Sequence, residues 1–117
     1  MNTTPAVPVD ETFRATYVQA CDAGHDAAMR CREGTEPLCG FASVIIPAPS
    51  LFGQWLVNNG HARVDTDDDA RTMYTHNVTG YEVRGGASWR RRTAYAHAFA
   101  HSLRFRGIEA RVWTALD

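Results

Sequence analysis

Cys39-Gly40-Phe41-Ala42-Ser43-Val44-Ile45-Ile46-Pro47, followed closely by Ser50-Leu51-Phe52-Gly53-Gln54-Trp55-Leu56, is the stretch on which the fold turns. Its first part is apolar at both odd and even positions and stops at a proline, which predicts a central strand over residues 39–46. Ser50 can cap a helix whose face is marked by Leu51, Phe52, Trp55, Leu56 and Asn59, and Asn59-Gly60 closes it. A strand therefore runs almost directly into a helix.

The same pairing recurs toward the C-terminus in reverse order. Ser88 caps a long helix in which Ala96, Phe99 and Leu103, with Tyr95 and Ala100 beside them, build an apolar stripe ending at Gly107. Ile108, Ala110 and Val112 then alternate with Glu109, Arg111 and Trp113, the pattern of a half-buried strand. Between the two helices three extended pieces, 62–65, 72–78 and 81–84, compete to supply the two strands of a hairpin, and alternation alone does not set their register.

Upstream, Asp10 is placed to start a helix in which Phe13, Tyr17, Cys21, Gly24, Ala28 and Cys31 recur at spacings of three and four. Gly24 weakens its middle, and Gly34 with Pro37 stops it. Residues 1–9, with Pro5 and Pro8, read as a flexible arm. Residues 10–117 then form a single α+β domain, with an N-terminal helix over 10–33 and a core over 38–117. The core order is β-α-β-β-α-β, the split arrangement of a ferredoxin-like two-layer sandwich. The additional helix either covers the second face of the sheet or packs at an edge. Trp113, on the strand face opposite Ile108, Ala110 and Val112, marks either the seat of that helix or a binding surface.

The chain has 117 residues, 44% of them hydrophobic and 21% charged, enough to bury roughly two-thirds of its unfolded surface in one domain. A formal net charge of −1 excludes a global attraction to nucleic acid or anionic membrane, so any such role must be local. No apolar run reaches a membrane-spanning length, the N-terminus lacks a signal-peptide pattern, and three cysteines without a C-x-x-C pair suit a reducing compartment. The expected location is the cytoplasm. All 12 basic residues are arginine, which codon bias in a GC-rich genome explains.

Cys39-Gly40-Phe41-Ala42-x-Val44, then Phe52-x-x-Trp55-Leu56, then Ala94-Tyr95-Ala96-x-Ala98-Phe99-Ala100-x-x-Leu103 with Gly107-Ile108-x-Ala110 and a Leu116-Asp117 tail, resembles a family of small proteins scattered through tailed-bacteriophage genomes. The similarity spans residues 39–117. It implies a phage or prophage setting within a host cell and carries no activity with it. Relatives tend to have Gly-Gln-Ser where this chain has Gly85-Gly86-Ala87-Ser88, so a role for that loop is not inherited.

The sharpest local feature is Arg84-Gly85-Gly86-Ala87-Ser88-Trp89-Arg90-Arg91-Arg92. Glycines leading into a helix N-terminus can present backbone N–H groups to an anion, and guanidinium groups grip phosphate or carboxylate. The competing reading is a glycine turn and a solvated helix face. Asp65-Thr66-Asp67-Asp68-Asp69 opens like a calcium loop, but Ala70 and His76 stand where the turn glycine and closing glutamate belong, so a solvated acidic turn is expected. His97 and His101 share a helix face without a third ligand. No sequence context supports Cys39 as a nucleophile.

With the phage or prophage setting that the resemblance implies, these features predict a non-enzymatic accessory protein that binds and blocks a host protein, as an anti-CRISPR-like inhibitor of a defence system. No catalytic residue, metal or cofactor is assigned. The contact residues are Arg90, Arg91, Arg92, Trp89, Arg111 and Trp113. The alternative is a nucleotide-sequestering or nucleic-acid-binding module that holds phosphate through Arg84, Gly85, Gly86, Ser88 and the Arg cluster. A homodimer is compatible with both.

Overall fold

The computed structural model describes residues 9–31, 40–78 and 88–116. They form α1 (Val9–Arg30), β1 (Gly40–Pro47), α2 (Leu51–Asn58), β2 (Arg63–Thr66), β3 (Thr72–Asn77), α3 (Trp89–Phe105) and β4 (Arg111–Leu116). The domain is α+β, three helices with one four-stranded antiparallel sheet in the order β2-β3-β1-β4. Val44 lies opposite His76 of β3 on one side and Val112 of β4 on the other, so β1 is central, as its two apolar faces require. No helix among the described residues is long and apolar enough to cross a membrane.

Local chemistry sets the element ends. Ser50 Oγ accepts the Gly53 N–H at 3.0 Å and starts α2, and Ser88 Oγ accepts the Arg91 N–H at 3.2 Å and starts α3. Gly107, with φ +82°, follows the C-terminus of α3. The hairpin uses the first two of the three extended pieces, with Val64 opposite Tyr74, while residues 81–84 lie outside the described residues. Its acidic turn is closed internally. Asp67 Oδ1 accepts the backbone N–H groups of Asp69 and Arg71, and the Arg71 guanidinium bridges Asp67 and Asp69. These bonds, the Arg71 N–H foremost, hold the Asp67 carboxyl below its usual range.

Of the two places open to the first helix on sequence grounds, neither the second sheet face nor an edge is the one α1 takes. It runs on the helix side of the sheet, against α3, because its small residues let two backbones approach. Thr16, Ala20, Gly24 and Ala28, four apart, are its buried residues, and a Cβ added at Gly24 would sit 2.7 Å from the Tyr95 ring of α3. The expected aromatic stripe is rotated to one side of this ridge. There Phe13 meets Phe52 edge-on at 5.5 Å and Tyr17 stacks on His61 at 4.1 Å. Trp55 Nε1 donates to Asp10 Oδ1 at 2.7 Å and ties the first turn of α1 to α2. That bond, with Arg14 nearby, holds the Asp10 carboxyl below its usual range.

Under the helices, Ala42, Val44 and Ile46 of β1, Tyr74 and His76 of β3, and Phe99 and Leu103 of α3 are buried. Leu51 is exposed, because the two-turn α2 packs through the narrow arc of Phe52, Trp55 and Leu56. His76 stacks on Phe99 with ring centroids 4.8 Å apart, and its Nδ1 is hydrogen bonded to the His61 carbonyl. Burial pushes this imidazole below its ordinary pKa, against the opposing effect of that carbonyl.

Candidate functional site

Strand alternation that turns Ala42, Val44 and Ile46 into the core turns Phe41, Ser43 and Ile45 to the opposite face, together with Met73, Thr75 and Asn77 of β3. Register arranges these side chains in rows across the sheet. Asn77, Ser43 and Trp113 make one row, and Arg63, Thr75, Ile45 and Arg111 make the next. The face is bounded at one end by Phe41 and by Arg92 from the first turns of α3, and it encloses a hollow of about 740 Å³. That volume lies in the range that holds a small ligand or a few side chains of a partner.

Two aromatic residues of its lining, Phe41 and Trp113, stay accessible. Phe41 is 55% exposed and Trp113 50% exposed, although both sit on strands whose other faces are packed. Exposed rings beside guanidinium groups are the composition of binding hot spots, since each offers large contact area at low rotamer cost. The polar floor is internally ordered. Ser43 Oγ donates to Asn77 Oδ1 at 2.7 Å, and Arg63 Nε donates to Asp65 Oδ2 at 2.8 Å. The Arg63 bond leads the effects that hold the Asp65 carboxyl below its usual range, so Asp65 presents a fixed negative charge.

The residues singled out from sequence are distributed rather than gathered. Trp113 and Arg92 line the hollow, and Arg111 lies on the same sheet face, opposite Ile45. Trp89 is half-buried, and its indole lies where a Cβ on Gly40 would fall, so it packs α3 onto β1. Arg90 is exposed while Arg91 and Arg92 are half-buried, which fans the triplet around the helix. Ser88 spends its hydroxyl on the Arg91 N–H and its carbonyl on the Arg92 N–H. Arg84, Gly85 and Gly86 lie outside the described residues, as does Cys39. Among the described residues no group of three or more His, Cys, Asp or Glu is placed to hold a metal ion.

Sequence reading missed Phe41, Met73, Arg63 and the Ser43–Asn77 pair. A signal existed in β1, where an exposed phenylalanine and a serine alternate with core residues. The uniformly apolar appearance of the strand hid it.

No protein-family model, no curated protein and no solved structure matches this chain.

Proposed function

We propose that this chain is a non-enzymatic binding protein that occupies a host protein through the sheet face on which none of the described helices lies. The observation that carries the reading is the hollow between Phe41 and Trp113, two half-exposed aromatic residues flanked by Arg63, Arg92 and Arg111. Partners with an acidic, partly apolar surface suit it, because the Arg92 and Arg111 guanidinium groups complement carboxylates, Arg63 being paired with Asp65, while the rings supply desolvated contact. We read the fold as a ferredoxin-like split β-α-β-β-α-β sandwich with an added helix, supported by the order β2-β3-β1-β4 and its antiparallel pairings.

The phage or prophage setting, the cytoplasm of the host as the place of action, and an anti-CRISPR-like blocking role rest on the sequence resemblance. Ala42, Val44, Trp55, Ala96, Phe99 and Leu103 of its motifs are core residues, so what it records is packing.

One observation favours a second reading, a phosphate-bearing ligand. Among the described residues, Arg92 Nε, at the rim of the hollow, is buried and has no hydrogen-bond partner. A nucleotide or nucleic acid would engage it and would bind with strong salt dependence.

Trp113→Ser is expected to weaken capture of the target from host lysate about tenfold while leaving the domain folded, since half of this side chain is already exposed. Quantitative pull-down against the wild type checks this. Retained capture by Trp113→Ser would remove the sheet face from the account, and capture that collapses with modest salt would favour the phosphate reading.

A further inference from the structure

The five histidines of the chain divide into two groups. Three are engaged in ring contacts: His25 meets Tyr95 edge-on at 5.1 Å, His61 stacks on Tyr17 at 4.1 Å and His76 stacks on Phe99 at 4.8 Å. The other two, His97 and His101, are exposed on α3 and line one hollow of about 690 Å³ between α3 and α1. Four residues apart on a helix, their Cβ atoms stand about 5–6 Å from each other, which lets two imidazoles reach one ion with a nitrogen of each about 2.0–2.1 Å from it. Ala23 and Ala27 of α1 and Ala94 and Ala98 of α3 line the same hollow and, being small, leave room for the other ligands of such an ion. Arg104 also lines it and carries a charge of the same sign as a metal ion. Its guanidinium is drawn toward the start of β4, where Nη1 donates to the Ala110 carbonyl at 2.9 Å.

We propose that His97 and His101 chelate one exchangeable late first-row divalent cation, Cu²⁺, Ni²⁺ or Zn²⁺, across successive turns of α3. Imidazole nitrogen suits these ions, whereas Mg²⁺ and Ca²⁺ prefer oxygen ligands. A structural zinc site is closed by four protein ligands. Two leave the remaining positions to water, so the ion is held in an open site and exchanges. Chelation also depends on the fold, because the two rings are held on one side of the chain only while residues 97–101 are helical. An ion that binds the folded chain better than the unfolded one stabilises it by mass action. The hollow shares no lining residue with the one on the sheet face, so the proposal stands apart from the host contact.

Calorimetric titration of the full chain with NiCl₂ tests this, with one ion bound per chain and a thermal midpoint that rises by several degrees at saturation. His97→Gln and His101→Gln put a good helix former at exposed positions, so each is expected to keep the metal-free midpoint of the wild type and to weaken Ni²⁺ binding by about tenfold or more. Paramagnetic broadening of amide resonances by Ni²⁺ locates the ion in the wild type without any substitution, and is expected to centre on residues 97–101. A wild-type chain that binds no Ni²⁺, or binds it with no change in midpoint, would overturn the proposal. So would unchanged affinity in either variant, or broadening centred on another part of the chain.

Discussion

Replacing Gly24 with leucine is expected to destabilise the domain by about 2 kcal/mol and lower its thermal midpoint by roughly 7 °C. Two effects of opposite sign compete at this position. In an isolated helix leucine would be favoured over glycine by about 1 kcal/mol. In this domain a single added Cβ already falls 2.7 Å from the Tyr95 ring, and that ring has nowhere to go. Tyr95 is 1% exposed, stacks on Phe99 at 6.0 Å and meets His25 edge-on at 5.1 Å. Overpacking at a rigid contact costs about 1–3 kcal/mol for a few atoms, so the clash outweighs the propensity gain, and the longer side chain must displace α1 from α3. Gly24→Ala should fall between leucine and the wild type. Urea denaturation of the three proteins provides the check, and a Gly24→Leu variant more stable than the wild type would mean that α1 is not seated on this ridge.

Stability is expected to fall as the pH drops below roughly 6.5, with a slope of at most about 1.4 kcal/mol per pH unit, and the cause is His76. This imidazole is buried, with Phe99 stacked on one face, Tyr17 edge-on at 6.2 Å and the His61 carbonyl at Nδ1. Burial lowers its folded-state pKa, so below about pH 6.5 the unfolded chain takes up a proton that the folded chain refuses, and acid favours unfolding. The loss continues until the folded-state imidazole itself titrates. Asp10, Asp65 and Asp67 act in a separate window. Their carboxyls are held below the usual value, so what they contribute persists above about pH 4 and is lost only below it. Chemical denaturation between pH 7.5 and 5, on the wild type and on His76→Gln, isolates the effect. The variant should start from a lower stability and show a flatter slope; an unchanged slope would assign the acid sensitivity elsewhere.

What could be read from sequence was whatever local periodicity and cap chemistry determine. The cap at Ser88 and the stripe of Tyr95, Ala96, Phe99, Ala100 and Leu103 specify α3 without reference to any other element, and the apolar run 39–46 specifies a central strand. What could not be read depended on a second element. Gly24 looks like a flaw in a helix until Tyr95 is placed against it, and so the seat of α1 on α3 was invisible. The register of the hairpin likewise depends on β1, which fixes Ile45 opposite Thr75. At the candidate site, Trp113 was legible because it breaks the apolar alternation of its strand. Phe41 was not, since an exposed phenylalanine in a central strand has the same letter as a buried one. The Arg90–Arg92 triplet read as one patch, but a helix turns each successive residue by about 100°, which sends Arg92 alone to the sheet face.

The most direct test of the sheet face as the functional surface is site-specific photo-crosslinking in host cells. A benzophenone side chain would be placed at Phe41 or Met73 on that face, and at the exposed Val18 or Met29 of α1 for comparison. The same host-protein adduct is expected from both sheet positions, lost in a Trp113→Ser background and absent from both α1 positions. Adducts that form from α1 and not from the sheet would contradict it.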